Sequence, residues 1–462
     1  MQLRKWVHCD SPSSWVALLV SMLLIGARTV QASIDLDLKS KESIKEAAKT
    51  VASGMLKYYT GYRPGDVPGN LPDPYYWWEA GAMFNAMVEY WYYTGDAQWN
   101  EITTQALLHQ AGPGADFMPA NQTRTLGNDD QAFWGLAAMS AAEVKFPDPP
   151  KDEPQWLALA QAVFNKQYPR WDNTTCGGGL KWQIFTFNNG YNYKNTVSNG
   201  CFFNLASRLA VYTGNRTYAE WAEKTWDWVY NTGLISKDYH FYDGTDDKGN
   251  CTELNHDQWT YNTGLFLLGA AHMYHFTDKS EIWKTRLEKI IKGLDVFFLR
   301  NVMSERACEP IGSCNVDQRS FKAYLSRWMS HTIQIAPFTY DLLMPKLRAS
   351  AEAAALQCNG PDNACGLRWY RNDSFDGSTG VGEQMAALDI IQGHLVDYVD
   401  KRVTTKTGGT SKGNPNAGTG ISDEETAGIK ERPISTGDQV GAGILTAIIV
   451  VCTVYGVYFM VA

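Results

Sequence analysis

The pattern of apolar and polar positions predicts long helices of two alternating kinds. In the first kind almost every position is apolar, as in residues 78–94 and 129–145. In the second kind apolar residues recur every three or four positions and charged residues fill the other face, as in residues 218–232. Helices that are apolar all round are expected to be buried, and helices with one apolar stripe are expected to have one face in water.

Six helices of each kind can be counted. The apolar helices are expected at residues 78–94, 129–145, 200–213, 259–277, 331–344 and 381–399. The amphipathic helices are expected at residues 41–60, 97–110, 154–168, 218–232, 279–300 and 345–356. This alternation is typical of an all-α (α/α)6 barrel with six inner and six outer helices, although a superhelical solenoid has the same pattern. Three apolar helices end at a threonine before a tight turn (Thr94, Thr213, Thr277), but the repeats are degenerate and lack obvious capping units, which favours the barrel.

Two long loops interrupt the helical pattern, at residues 169–199 and 236–257. The first loop alternates apolar and polar residues around Asn189-Gly190, which predicts a β-hairpin. Each loop ends where an apolar helix begins. Because loops that precede inner helices emerge at the same end of a barrel, we expect the functional site at that end.

The sequence GNDDQAFWG is the strongest candidate for chemistry. Asn128 is expected to cap a helix, which places Asp129 and Asp130 in its first turn. An isolated Asp-Asp pair is more often a solvated helix start, since the helix dipole favours anions, but Phe133 and Trp134 indicate an aromatic-lined pit. Retaining glycosidases hold two carboxylates about 5–5.5 Å apart, and consecutive residues permit that separation. We expect Asp129 to be the nucleophile and Asp130 the acid/base, with repulsion between their charges raising one pKa.

The starts of the other inner helices, and the two loops, carry more polar and aromatic side chains. Aromatic rings stack on the C–H faces of sugars, and amide groups bind pairs of hydroxyls. For any single polar residue the commoner role is to cap a helix, so the prediction depends on their convergence at one face. The residues predicted to bind substrate are Trp78, Asn128, Gln131, Trp182, Asn199, Tyr261, Asn262 and Gln384.

Composition supports a globular protein that handles carbohydrate. The chain has 462 residues, of which 44% are hydrophobic and 19% are charged, and its net charge of −8 argues against nucleic acid and anionic membrane surfaces as partners. The 17 Trp and 24 Tyr residues exceed what a core usually needs, and clefts that bind sugars use such rings.

The first 32 residues predict secretion. Two basic residues precede a short apolar run, and a polar stretch that ends in alanine follows it. This pattern indicates a signal peptide, with a signal anchor as the alternative. Residues 33–402 are then expected to form the catalytic domain.

The end of the sequence predicts a membrane anchor. Residues 440–462 are apolar and follow a polar, Gly/Ser/Thr-rich stretch at residues 403–439, which is the pattern of a GPI-anchor signal after a linker. A permanent membrane helix is the alternative. Asn416 is the predicted attachment residue because its neighbours are small, while Gly428 would leave a more usual spacer.

Sequons and cysteines agree with the secretory route. N-glycans are expected at Asn121, Asn173, Asn215, Asn250 and Asn372. Disulfides are expected between loop cysteines that are close in sequence, Cys308 with Cys314 and Cys358 with Cys365. Cys176 and Cys251 also lie in loops and can pair, whereas Cys201 lies in an apolar helix and is expected to be free and buried.

Other protein classes fit the sequence less well. A terpenoid synthase would carry DDxxD for magnesium and diphosphate, but the fifth position here is Phe133. The run of three glycines at residues 177–179 lacks the Lys-Ser/Thr of a P-loop. We find neither a Cys/His spacing typical of zinc nor a Ser/His/Asp or Cys/His motif, so no metal or cofactor is expected.

Several motifs resemble glycoside hydrolase family 76, namely GNDDQAFWGLAAMSAAE, CGGGLKWQIF, NTVSNGCFFNLASRLAVYTGN and WTYNTG. The resemblance covers about residues 35–402 and implies an (α/α)6 endo-α-1,6-mannanase whose adjacent catalytic aspartates fall on Asp129 and Asp130. The terminal segments are similar to those of a fungal branch, the GPI-anchored "defective for filamentous growth" cell-wall proteins. Similarity to that branch implies that the protein acts on the mannose core of GPI anchors and transfers GPI-linked mannoproteins onto wall glucan.

The sequence therefore predicts a retaining endo-α-1,6-mannosidase or transglycosylase of the fungal cell wall. Its expected partners are α-mannan or the GPI-core oligosaccharide, a β-glucan acceptor, and the plasma membrane through a GPI anchor, and it is expected to be a monomer. A mannan-binding scaffold without turnover is the alternative. Which aspartate is the nucleophile, and whether water or a sugar accepts the glycosyl group, stays open at this stage.

Overall fold

Six inner helices form a closed ring in the computed structural model, which describes residues 34–371, 375–428 and 435–461. The inner helices are α2 (Trp77–Thr94), α4 (Asn128–Glu143), α6 (Thr196–Thr213), α8 (Thr260–Phe276), α10 (Phe321–Ile335) and α12 (Val381–Gln392). Each packs against the next, and α12 packs against α2, so the ring closes as a barrel and not as a solenoid.

Six outer helices surround the ring. They are α1 (Lys41–Leu56), α3 (Asn100–Gln110), α5 (Trp156–Gln167), α7 (Arg216–Asn231), α9 (Glu281–Gly293) and α11 (Tyr340–Gln357). Each packs on its neighbouring inner helix and buries one face, as the apolar stripes predict. The predicted all-α (α/α)6 barrel is confirmed.

The repeated helix ends follow from glycine after threonine. Helices α2 and α6 stop at Thr94 and Thr213, and Gly95 and Gly214 continue with φ of 77° and 74°. That left-handed conformation suits glycine and ends a helix sharply. The third repeat ends one residue earlier than predicted, at Phe276.

The position predicted for the fifth inner helix is wrong, because buried polar residues at its start look like an exposed face. It was expected at residues 331–344, but α10 runs over Phe321–Ile335 and a short turn at Pro337–Thr339 leads into α11. Lys322 and Arg327 make the start of α10 look amphipathic, yet both are buried in ion pairs, Lys322 with Glu309 at 2.8 Å and Arg327 with Asp389 at 2.7 Å. Both partners lie outside α10, so the pattern within the helix does not reveal that its charges are paired.

The predicted hairpin around Asn189-Gly190 does not form. Strand β1 (Tyr193–Asn195) pairs instead with β2 (Gly244–Asp246), and β2 pairs with β3 (Leu254–Asn255), so both long loops share one antiparallel sheet. A second, two-stranded sheet joins β4 (Phe298–Leu299) to β5 (Val302–Met303). Gly190 has φ of 87° and lies against the Trp182 ring, where a Cβ atom would come within 2.4 Å. The glycine therefore allows the backbone to pack closely on this ring.

Three disulfides link described loops. The two predicted short-range bridges, Cys308–Cys314 and Cys358–Cys365, are confirmed. Cys176 pairs with Cys251 and ties the two long loops together. Cys201 is a free, buried cysteine, as expected.

The segment predicted as a linker is largely packed on the barrel. Residues 403–428, hereafter the C-terminal strap, lie along α5 and end in the short helix α13 (Asp423–Thr426). Helix α14 (Thr436–Val461) follows; it is exposed, apolar and long enough to cross a membrane. The predicted signal peptide and the sequon at Asn372 lie outside the described residues.

Candidate active site

The inner helices begin around a cavity of about 230 Å³ at one end of the barrel. Its walls come from the starts of five inner helices and from both long loops, which were expected to meet at one end of the barrel. The cavity is lined by Trp78, Asp129, Asp130, Phe133, Trp182, Tyr193, Asn195, Val197, Asp243, Tyr261, Asp317 and Phe321.

The two adjacent aspartates are fixed by the first turn of α4. The carboxylate of Asp130 accepts the amide hydrogen of Gly127 at 2.7 Å, which is half of a capping box, and Asp129 Oδ1 accepts the amide hydrogen of Asp130 at 3.0 Å. Gly127 is the N-cap residue in place of the predicted Asn128. A Cβ atom at Gly127 would approach Asp129 Oδ1 to 2.3 Å, so the turn needs glycine.

Asp129 also has a partner outside its own helix. Asn195 caps α6 by accepting the Ser198 amide hydrogen at 3.2 Å, and its side-chain nitrogen donates to Asp129 Oδ2 at 3.3 Å. Both oxygens of Asp129 therefore accept hydrogen bonds. Asp130 Oδ1, in contrast, has no protein hydrogen-bond partner among the described residues.

Burial shifts the titration of both aspartates. Burial raises the pKa of Asp130 to about 6, although the Gly127 amide partly opposes the shift. Burial, and then the charge of Asp130, raise the pKa of Asp129 well above its ordinary range. The unliganded pair therefore keeps one of its two protons just above pH 6.

Two more carboxyl groups border the cavity. Burial and the charge of Asp130 raise the pKa of Asp317 to about 6. Burial raises the pKa of Asp243, which accepts the Tyr193 hydroxyl hydrogen at 2.6 Å. The cavity is thus acidic, and part of its charge is neutralised by protons near pH 6.

Aromatic rings form two walls beside the carboxyl groups. Trp78 packs against Phe133 with ring centres 4.7 Å apart, and Tyr261 packs against Phe321 at 4.1 Å. Trp182 lies at the mouth and is 36% exposed; its carbonyl accepts the Asn128 amide hydrogen at 2.8 Å, and its own amide donates to Tyr193 at 2.7 Å. Rigid rings beside acids suit a sugar, because they pack on its apolar faces.

The structure places three of the eight predicted substrate-binding residues in the cavity lining and five outside it. Trp78, Trp182 and Tyr261 line the cavity together with the aspartate pair. Asn262 is fully buried, and its amide has no protein partner among the described residues. The other four lie outside the cavity lining, and their amides bind protein groups: Asn128, Gln131, Asn199 and Gln384.

The lining residues that the sequence analysis missed include Asn195, Asp243, Asp317 and Phe321. Asn195 shows a helix-cap signal, an Asn two residues before the apolar part of α6, and that signal could have found it. Asp317 and Phe321 were hidden because the fifth inner helix was expected to begin at residue 331. Asp243 is brought in by the pairing of β1 with β2, which has no local signal.

A second group of titratable residues lies at the opposite end of the barrel. Glu143, His272 and His331 place ligand atoms within 4.8 Å of one another, next to a cavity of about 570 Å³. Arg208 already donates to both carboxylate oxygens of Glu143, at 3.0 and 2.7 Å. Because this guanidinium occupies the carboxylate, Glu143 belongs to a buried ion pair, and the group does not suit a metal ion.

Comparisons with known proteins agree on one family. Residues 43–406 match the glycosyl hydrolase family 76. The mannan endo-1,6-alpha-mannosidase DCW1 of Eremothecium gossypii is 47% identical over 439 residues, which cover 94% of this chain and 95% of that protein. The mannan endo-1,6-alpha-mannosidase DFG5 of Saccharomyces cerevisiae is 44% identical over 435 residues, covering 93% and 94%.

Solved structures lead to the same conclusion. The crystal structure of Dfg5 from Chaetomium thermophilum in complex with glucosamine superposes with a TM-score of 0.80 at 47% identity, covering 83% of this chain and 97% of that one. An inactive variant of the alpha-1,6-mannanase GH76A from Salegentibacter sp. shares the fold, with a TM-score of 0.62 at 17% identity, covering 76% and 99%. This chain, with its two adjacent aspartates at the open end of an (α/α)6 barrel, belongs to glycosyl hydrolase family 76 and is a glycoside hydrolase.

Proposed function

We propose that the protein is a retaining endo-α-1,6-mannosidase that can also transfer the glycosyl group. The observation that carries the proposal is the pair Asp129 and Asp130, held side by side by one helix start in a cavity walled by aromatic rings. The curated relatives named mannan endo-1,6-alpha-mannosidase support the substrate. The inactive Salegentibacter variant has two adjacent aspartates changed to asparagine and was solved with alpha-1,6-mannotriose.

Asp129 is the nucleophile in this proposal. Its two oxygens accept hydrogen bonds from the Asp130 amide and from Asn195, and such donors stabilise a carboxylate anion. The carboxylate attacks the anomeric carbon, and the bond to the leaving sugar oxygen breaks. A covalent glycosyl-enzyme results.

Asp130 is the acid/base. Its Oδ1 has no protein hydrogen-bond partner among the described residues, so it is free to deliver to the leaving oxygen the one proton that the pair keeps above about pH 6. In the unliganded protein the pKa of Asp129 is the higher one, which is the reverse of the required order. The mechanism requires the proton to lie on Asp130 when substrate is bound; this placement removes the contribution that the charge of Asp130 makes to the pKa of Asp129, while the larger contribution of burial remains.

The second step decides between hydrolysis and transfer. Asp130, now ionised, accepts a proton from water or from a sugar hydroxyl, and that oxygen attacks the glycosyl-enzyme. We propose α-mannan and the GPI-anchor core as donors and β-glucan as an acceptor, which would attach GPI mannoproteins to the fungal wall. The protein acts as a monomer, secreted and held on the outer face of the plasma membrane and in the wall.

The C-terminal pattern supports a GPI anchor, and the strap bears on its position. Attachment at Asn416 would remove residues 417–428, including Asp423, which forms ion pairs with the barrel. Attachment at Gly428 keeps the whole strap and leaves a spacer of usual length before residue 440. We therefore propose Gly428 in place of Asn416.

Product analysis tests the reaction. The full-length protein is incubated with α-1,6-mannotetraose, with and without a β-1,3-glucan oligosaccharide, and the first-formed anomer is read by NMR. Retention of the α-anomer and a mixed oligosaccharide support the proposal. Inversion would contradict the mechanism, and binding without turnover, unchanged when Asp129 and Asp130 become asparagine, would favour the scaffold.

A further inference from the structure

The C-terminal strap connects the two ends of the barrel. At the end opposite the cavity, Val403 donates its amide hydrogen to the Glu143 carbonyl, where α4 ends, and Thr405 donates to Tyr212. Ser411 then accepts the Leu157 amide hydrogen at 2.9 Å, at the start of α5. The strap therefore begins on the far side of the barrel from Asp129 and Asp130.

The strap then follows α5 toward the catalytic end. Asn414 donates to the Gln161 side chain at 2.7 Å, and Asn165 donates to the carbonyls of Pro415 and Ala417 at 2.8 and 2.9 Å. Helix α5 has 12 residues, so this path covers about 18 Å along its axis.

The fit between the strap and α5 is close. Gly413 lies against Gln161 and Leu157, where a Cβ atom would come within 2.8 Å of each. Gly418, with φ of 76°, lies against Ala162, where a Cβ atom would come within 3.0 Å of the Ala162 carbonyl oxygen. Larger residues would push the strap away, so its glycines serve packing as well as chain flexibility.

The strap ends beside the catalytic helix start. Asp423 forms ion pairs with Lys166 at 2.9 Å and with Arg170 at 2.6 Å. Arg170 donates to the side chains of Asn128 and Gln131, which flank the aspartate pair, at 2.8 and 2.7 Å. Ala427 is buried in a small cluster with Met118, Leu126 and Phe185, on the loops that frame the cavity.

We propose that the strap delivers the membrane anchor to the catalytic end of the barrel, so that the cavity opens toward the lipid surface. The inference relies on the proposed membrane anchoring but not on its chemistry. With a GPI anchor at Gly428, the lipid is attached where the strap ends. With α14 kept as a membrane helix, seven residues separate Gly428 from Thr436, and the chain between these two residues reaches at most about 28 Å.

In this orientation the cavity favours substrates that are attached to the same membrane surface. A mannoside carried by a lipid-anchored molecule would meet the cavity directly, since both partners are confined to one plane. A soluble mannan would have to enter from the side. The opposite end of the barrel, with its Glu143 ion pairs, faces away from the membrane.

Energy transfer to the membrane tests the orientation. Single cysteines replace exposed Arg124, on a loop at the catalytic end, or exposed Glu281, at the start of α9 on the opposite end, in full-length protein with Cys452→Ser. Each form carries a donor dye and is reconstituted in phosphatidylcholine vesicles with an acceptor dye on lipid headgroups. We expect transfer efficiency at least twofold higher from position 124 than from position 281.

An insertion provides the matched control. About 40 Gly/Ser residues after Gly428 leave the strap in place but lengthen the tether by roughly 35 Å, so the difference between the two dyes should vanish. Equal transfer in the native-length protein, or higher transfer from position 281, would overturn the proposal. Hydrolysis of free α-1,6-mannotetraose is measured in parallel. If no form hydrolyses it, the proposed enzyme activity fails, while the energy-transfer result still decides the orientation.

Discussion

Asn195 donates a hydrogen bond to Asp129 and thereby couples two neighbouring inner helices beside the candidate catalytic cavity. The same side chain caps α6, so its position is set by the fold and not by the ligand. Asp129 sits on α4, and its second oxygen would otherwise lack a donor. A helix cap thus also donates to a proposed catalytic carboxylate, and this hydrogen bond opposes the burial that raises the pKa of Asp129.

Changing Asn195 to alanine should lower kcat about 10- to 100-fold on α-1,6-mannotetraose with little change in KM. A hydrogen bond to a charged group is worth about 1.5–3 kcal/mol, and here it stabilises the nucleophile. The loss of the cap should also cost about 1 kcal/mol of unfolding free energy. Ser280→Ala, which removes the cap of α9 far from the cavity, should reproduce the stability loss without the kinetic loss. Equal kinetic losses in both variants would refute the coupling.

The aspartate pair should make the protein less stable at neutral pH. Burial raises both folded-state pKa values above the ordinary 3.8, so each charged carboxylate opposes folding once the pH exceeds that value. Asp129→Asn should therefore raise the unfolding temperature at pH 7.5 but not at pH 3.5, while activity falls at least about 100-fold. Calorimetry at the two pH values checks the sign. A lower unfolding temperature at pH 7.5 would show that the charge is better stabilised than the burial implies.

Activity should fall on the acid side of about pH 6. Below the pKa of Asp130 the pair takes up its second proton, and the neutral nucleophile cannot attack. We expect kcat/KM to decline about tenfold per pH unit there, and to decline again at higher pH when the shared proton is lost. Profiles of kcat/KM from pH 3 to 9 measure both limbs. A rate independent of pH between 4 and 6 would exclude the pair as the titrating unit.

The candidate catalytic pair could be recognised in the sequence because its signals are local. Asp129 and Asp130 are adjacent, an apolar helix follows them, and aromatic residues flank them. The alternation of buried and amphipathic helices likewise depends on short-range periodicity, and it predicted the barrel. The helix ends at Thr94 and Thr213 followed from one short repeated pattern.

The remaining features depend on contacts between distant residues. Lys322 and Arg327 are buried only because Glu309 and Asp389 neutralise them, so the start of α10, and with it Asp317 in the cavity, was not recognised. The strap is polar and glycine-rich, and its packing uses hydrogen bonds to α5 instead of an apolar face. A polar sequence that is ordered through such bonds has the same composition as a linker.

Replacing Trp182 with alanine should raise KM for α-1,6-mannotetraose about tenfold. The ring lies at the cavity mouth, and losing a stacked aromatic contact costs about 1.5 kcal/mol. Trp182→Phe should retain most of the affinity, since a ring remains. Phe187→Ala is the matched control, because this exposed ring lies on the same loop but not in the cavity lining. A larger effect at Phe187 than at Trp182 would place the sugar outside the cavity.

Asp423→Asn should lower the unfolding free energy by about 3 kcal/mol, because Lys166 and Arg170 lose their largely buried partner. Burial alone would raise the pKa of Asp423, but Arg170 and Lys166 outweigh it and lower the pKa to about 2. The ion pairs therefore stabilise the fold fully above pH 3.8, and this contribution is lost as the pH falls toward 2. Denaturant unfolding of Asp423→Asn beside Glu424→Gln, an exposed neighbour, should show the loss in the first variant alone and only at neutral pH.

Because Arg170 also holds Asn128 and Gln131, Asp423→Asn should lower kcat as well. An unchanged kcat would mean that the strap carries the anchor without supporting the turn that holds Asp129 and Asp130.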